Sequence, residues 1–172
     1  QKALPLEQVA ALLEAGLRSP ETKVVRPTFP SGGGSYPIET YFCVTAVTGL
    51  EPGFYHYLAE EHSYTQVSST LPELADFNQQ FGMKFEHYPQ LTVIMTFQKS
   101  KNIKKYGSLA YKLALLEAGH RSQNLVLVAA GLEIACCPMG GGDIAAINGH
   151  IKADGYDENY LYGVAFGVAG EH

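Results

Sequence analysis

The chain has 172 residues, of which 46% are hydrophobic and 17% charged, and carries a formal net charge of −5. That length suits one domain with a real core and is short for two, and the composition excludes a disordered polymer. The densest basic stretch, Lys99-Ser-Lys-Asn-Ile-Lys-Lys105, is short and reads as a solvated loop, so nucleic acid is not expected as a partner.

Three cysteines, Cys43, Cys136 and Cys137, make an odd count with two adjacent, which points to reduced thiols in a cytoplasmic protein. No second Cys/His pair has zinc spacing, so no metal is expected. The longest apolar run, Leu125 to Cys137, contains Gly131 and Glu133 and is too short for a bilayer, so no membrane partner is expected. The first residue is Gln1, not Met, which points to an excised domain or a fragment.

In chain order, Leu4, Val9, Leu12, Leu13 and Leu17 predict an amphipathic helix over 4–17, with Pro5 tolerated in its first turn. A loop marked by Pro20 and Pro27 leads to Pro30-Ser-Gly-Gly-Gly-Ser-Tyr-Pro37, where backbone can approach a ligand closely. This segment is neither a P-loop nor a dinucleotide fingerprint. A strand is predicted over 38–46, a hairpin over 53–58 and 63–67, and a short helix over 72–81. His56 and His62 read as hairpin residues, not ligands. The β-branched run from Gln90 to Phe97 predicts a buried central strand.

The stretch opening at Lys105-Tyr106 runs into a helix ending near Ala130, about 24 residues and roughly 36 Å long. It is apolar on nearly every side, which predicts burial in a large core, and its polar residues Glu117, His120, Arg121, Gln123 and Asn124 then need partners. A strand over 132–137 ends at a second cluster, Pro138-Met-Gly-Gly-Gly-Asp143, and Asp143 should cap a helix over 144–150. A last strand is expected over 159–167. The pattern is an α+β layered domain, one sheet with a buried helix on it.

Neither cysteine of the 136–137 pair has an evident basic partner, and Glu117 and Asp143 carry no glycosidase motif. Glycine clusters at strand ends suit a flat, phosphate-bearing cofactor gripped by backbone amides.

Pro30-Ser-Gly-Gly-Gly-Ser-Tyr-Pro-Ile-Glu39, followed by Gly49-Leu-Glu-Pro-Gly-Phe-Tyr-His-Tyr57, resembles the nitroreductase-like flavoenzymes of the SagB type. Lys105-Tyr-Gly-Ser-Leu-Ala-Tyr-Lys-Leu-Ala-Leu-Leu-Glu-Ala-Gly-His-Arg-Ser-Gln-Asn124 strengthens the match, which extends from about residue 5 to residue 168. These oxidases convert thiazolines and oxazolines to thiazoles and oxazoles, on ribosomal peptides or as domains of peptide synthetases. The resemblance implies an FMN-dependent, dimeric fold with a central, mostly antiparallel sheet and a long buried helix. It makes residues 1–172 a single oxidase domain, as a homodimer or beside a second copy of the fold in a longer chain.

By the same resemblance, Pro30, Ser31, Gly32 and Gly33 border the isoalloxazine and ribityl chain, and Pro138, Met139, Gly140 and Gly141 meet the ring edge near N5. Gln123 and Asn124 lie in the family's helical motif, with at least one expected near the cofactor. Lys105 and Tyr106 fall on the family's catalytic pair. Removing a hydride and a proton from an azoline asks for a positioned base and an acid partner, which these two types can supply. The substrate implied is an azoline-containing peptide or a carrier-protein-bound intermediate, with O₂ reoxidising the flavin. The family's upstream arginine-rich segment has no counterpart before Leu4, leaving Arg26, Lys104 and Lys112 as substitutes for its phosphate contacts. An NAD(P)H-dependent nitro- or quinone reductase, and a flavin-free partner subunit of the same fold, stay open as alternatives.

Overall fold

The inner strands set the architecture, because near-continuous apolar runs must bury both of their faces. The computed structural model describes residues 2–17, 27–58 and 61–168. In these, the strands are β1 (Leu4–Pro5), β2 (Ile38–Val44), β3 (Val47–Thr48), β4 (Gly53–Leu58), β5 (Ser63–Ser68), β6 (Leu91–Gln98), β7 (Ile134–Met139) and β8 (Glu158–Val168). The helices are α1 (Leu6–Leu17), α2 (Leu74–Phe81), α3 (Ile103–Tyr106), α4 (Leu109–Gly131) and α5 (Ile144–Ile151), with 3-10 turns at Gly32–Gly34 and Lys99–Lys101.

Among the described residues, six strands form one sheet in the order β5-β4-β2-β6-β8-β7. Every neighbouring pair in it is antiparallel, while β1 and β3 make a small parallel ladder apart from it. The central strand is β6, as its β-branched run predicts. On one face Ile38, Phe42, Leu91, Val93, Met95, Val164 and Phe166 pack against α1 and α4. On the other, Tyr41, Cys43, Ile94 and Ala165 pack against Phe77 and Phe81 of α2 and Ile147 and Ile151 of α5. The result is an α+β sandwich of three layers. Asp143 caps α5 as expected, its carboxylate accepting from Ala146 N at 3.1 Å. No described helix is long and apolar enough to cross a membrane.

Lys105 and Tyr106 stand ahead of the long helix, in α3, which Gly107 at φ 52° separates from α4. One expectation about the long helix is corrected: it is not buried all round. Its alanines Ala110, Ala114, Ala118 and Ala129 face inward with Leu125, because small side chains let the helix approach the sheet and α1 closely. At the α1 crossing even a methyl on Gly16 would come within 2.7 Å of Leu125. The large residues Leu109, Tyr111, Leu115, Leu116 and Leu127 are left on the outer face, Leu127 62% exposed.

Phe42 is 1% exposed at the middle of β2, so Phe42→Ala removes a large ring with no means of refilling the space. Urea unfolding of this variant should show a loss of about 3–5 kcal/mol with the m-value unchanged.

Candidate active site

The first glycine segment is a built loop, not a linker. Gly34 N donates to Ser31 O at 3.1 Å and Ser35 N to Gly32 O at 3.3 Å. The Ser35 hydroxyl donates to Gly32 O at 2.8 Å, and Tyr36 N donates to the Ser31 hydroxyl at 2.9 Å. Gly33 and Gly34 sit at φ 58° and 67°, where glycine is comfortable; Tyr36 is held at φ 43°, where a side chain is not.

This loop rests on one stripe of α4. A Cβ on Gly32 would come within 2.9 Å of Leu113. One turn on, Glu117 is paired with Arg121, its carboxylate 3.0 Å from Arg121 Nη2. Arg121 Nη1 donates to the Thr40 hydroxyl at 3.2 Å, and its guanidinium lies 4.4 Å from the Phe29 ring centre. Asn124 Nδ2 donates to the Thr28 hydroxyl at 3.0 Å and to Gly16 O at 3.3 Å. Burial pushes the Glu117 carboxyl above its ordinary range even with Arg121 beside it. So Arg121 and Asn124 find partners in the chain running from Thr28 to Thr40. Gln123 lies on the exposed side of α4, and Asn124 is tied to backbone and to Thr28.

Lys105 and Tyr106 converge on the same loop. Lys105 Nζ lies 3.4 Å from the Gly33 carbonyl, to which it donates, and 5.3 Å from the Tyr106 ring centre. A side chain on Gly33 would collide with both the Lys105 ammonium and the Tyr106 hydroxyl. The structure therefore brings Ser31, Gly32 and Gly33 together with Lys105 and Tyr106, while Pro30 stands exposed at the loop's start.

The stretch that carries the pair, read from sequence as a solvated loop, is instead anchored at several points. Lys99 N donates to Asp157 O at 2.8 Å. Ser100 donates to the Asp157 carboxylate through its amide at 2.8 Å and its hydroxyl at 2.6 Å. Lys99 Nζ donates to Tyr156 O at 3.0 Å and stands 4.0 Å from that ring's centre. Lys101 pairs with Glu39, which also meets His56 at 3.2 Å. The His56 hydrogen bond first, and then Lys101, hold the Glu39 carboxyl down at about 2 against the opposing effect of burial. Sequence reasoning missed Glu39 and Asp157 as anchors. The only local signal was the Asp154-Gly-Tyr-Asp157 turn, in which Asp154 accepts from three backbone amides.

The second segment lies at the same end of the sheet. Met139 ends β7 opposite Gly163, and the Tyr160 hydroxyl reaches the carbonyls of Met139 and Gly141, 3.2 Å from each. Pro138, Gly140 and Gly141 are exposed. Between β2, which the first loop enters, and β7 lie β6 and β8, so the strand spacing puts the two segments about 14 Å apart. A shallow cavity of about 270 Å³ opens between the starts of α4 and α5, with Phe97, Tyr111, Ile144 and Leu161 on its walls and Lys99 and Asp157 at its rim. Lys104 and Lys112 are exposed, and Arg26 lies outside the described residues.

A model of the nitroreductase family matches residues 1–168. The Methanocaldococcus jannaschii protein MJ1384, which carries a nitroreductase name, is 30% identical over 115 residues, 66% of this chain and 57% of its own length. The microcin B17-processing protein McbC of Escherichia coli is 30% identical over 132 residues, 73% of this chain and 48% of its own length. The chain thus spans about half the length of the curated relatives it matches. Among solved structures, a chain of the E. coli microcin synthetase McbBCD complex with truncated pro-MccB17 bound superposes with a TM-score of 0.88 at 25% identity, covering 99% of this chain and 66% of that one.

The Glu39 anchor has a pH signature. Its folded-state value is depressed below that of the unfolded chain, so its contribution is complete above pH 4.5 and is lost as pH falls toward 2. Glu39→Gln should lower stability at neutral pH and flatten the acid limb of the stability profile. Circular dichroism melts from pH 2 to pH 7 measure it, and a steep acid limb in the variant would exclude Glu39 as its source.

Proposed function

The chain belongs to the nitroreductase family, and we propose that it is an FMN-dependent oxidoreductase that dehydrogenates thiazoline or oxazoline rings to thiazoles or oxazoles. The observation that carries this reading is the meeting of Lys105 and Tyr106 at Gly33, in the loop that the family resemblance gives to the flavin. The likeness to McbC, a microcin B17-processing protein, supports a peptide or carrier-bound substrate over a free small molecule. Oxygen is the reading's acceptor for the flavin electrons.

The residues present fit a flavin. Ser31 to Gly34 and Pro138 to Gly141 offer backbone free of bulky side chains at one end of the sheet, and a Cβ at Gly34 or Gly141 would meet nothing within 4 Å. The exposed Lys105 supplies a cation beside the first of them. Bound beside these segments, FMN would supply the acceptor for the hydride that leaves the azoline carbon. Lys105 and the Tyr106 hydroxyl are the pair placed to take and relay the proton from the neighbouring carbon. The Gly33 carbonyl orients the lysine nitrogen for that transfer.

A second copy of the fold completes the picture. Leu109, Leu116 and Leu127 share one exposed side of α4, with Leu115 exposed beside it, apolar surface that a partner would cover. Its occupant is a homodimer partner, or a second copy within a longer polypeptide.

Purified protein should be yellow, with a flavin absorption band. Lys105→Ala and Tyr106→Phe should keep that band and slow azoline oxidation by about 10²–10⁴-fold; undiminished turnover with both changes in place would sink the assignment. Sedimentation should find a two-copy mass for the wild type and a one-copy mass for the pair Leu116→Glu and Leu127→Glu.

A further inference from the structure

Glu117 and Arg121 play no part in the proton chemistry proposed above, yet they are the pair of opposite charges set deepest in the described core, with side chains 1% and 7% exposed. A buried ion pair is a poor way to gain stability, because two well-packed apolar side chains of similar volume hold a core as well or better. What the pair has, and leucine would lack, is direction. The guanidinium uses its flat face on Phe29, one nitrogen on Thr40 and another on Glu117. Phe29 passes the constraint to Tyr36, the two rings meeting edge to face with 6.0 Å between their centres, and Tyr36 N donates to the Ser31 hydroxyl. The residues fixed in this way bracket Gly32–Gly34 on both sides.

We propose that Glu117 and Arg121 are positioning residues, whose buried pair sets the shape of the 29–36 loop and so holds Gly33 against Lys105 and Tyr106. The inference rests on the reading of this loop as a border of the cofactor site. Arg121 touches neither Lys105 nor Tyr106; it acts through Phe29, Thr40 and Glu117. The strained φ of Tyr36 is a consequence, since a loop free to relax would not keep a tyrosine there.

The test uses the double variant Glu117→Gln with Arg121→Met, which leaves no lone buried charge, and Arg121→Lys, which keeps the charge and loses the flat fork. Amide hydrogen exchange on the protein without added FMN reads the loop directly. Both variants should exchange at Gly34, Ser35 and Tyr36 about tenfold or more faster than wild type, with the inner strands β2 and β6 unchanged. Titration with FMN should show affinity weakened about tenfold, and turnover should fall about 10²-fold through kcat, while the melting temperature of the FMN-free double variant stays near that of wild type. Native exchange at 34–36 together with native FMN affinity overturns the proposal. A double variant that does not fold overturns it as well, by making the pair a requirement of the core. Wild-type protein that takes up no FMN would bring down the proposed function instead, and the exchange rates would still decide whether the pair shapes the loop.

Discussion

The contact on which the site depends is the one between Arg121 and Glu117, on a face of α4 that a helix of this composition would otherwise fill with leucine. Two charges out of water must find directional partners, and the chain passing over them supplies Phe29 and Thr40. Thr40 is the telling one. It lies in β2, and the alternation of that strand sends its neighbour Glu39 through to the opposite face, where it meets His56 and Lys101. Adjacent residues of one strand thus anchor the two segments that form the site: the glycine loop on the α4 side, and the stretch leading to Lys105 and Tyr106. Their meeting at Gly33 follows from the pleat of β2.

Much of this was legible in the sequence. The central strand was readable because Gln90 to Phe97 is a β-branched apolar run, and the α5 cap because Asp143 stands just before an apolar run. The glycine loop and the Lys105-Tyr106 pair were readable as motifs, although their contact across 72 residues was not. The anchors of residues 99–106 were invisible for the same reason: Asp157 and Glu39 lie far along the chain, and their roles come from sheet register, which no local pattern records. Gln123 and Asn124 show a different limit. Their neighbourhood in a motif says nothing of which way each points, and the turn of the helix sends one outward and the other to Thr28 and Gly16.

The long helix was misjudged because apolar content was counted without regard to size. Leucine and alanine score alike as apolar, yet they divide here by face. The inward positions 110, 114, 118 and 129 are all alanine, and most of the large side chains look outward. The division has a geometric cause. A helix that must lie close to both a sheet and α1 has room for methyl groups, with Leu125 filling the one gap that Gly16 leaves.

That division also explains why one helix can serve three neighbours without conflict. Its alanine side fixes the distance to the sheet, and therefore the height at which the glycine loop sits. Leu113 and the polar stripe at 117, 121 and 124 fix the loop's path along that surface. Its leucine side is free of both duties and carries no polar partner from the same chain. Bulk added on the alanine side, as by Ala114→Leu, would lift α4 and carry Arg121 away from Thr40 and Phe29 together. The geometry at Gly33 is therefore set as much by the smallness of buried alanines, none of which touches the site, as by the residues that form it.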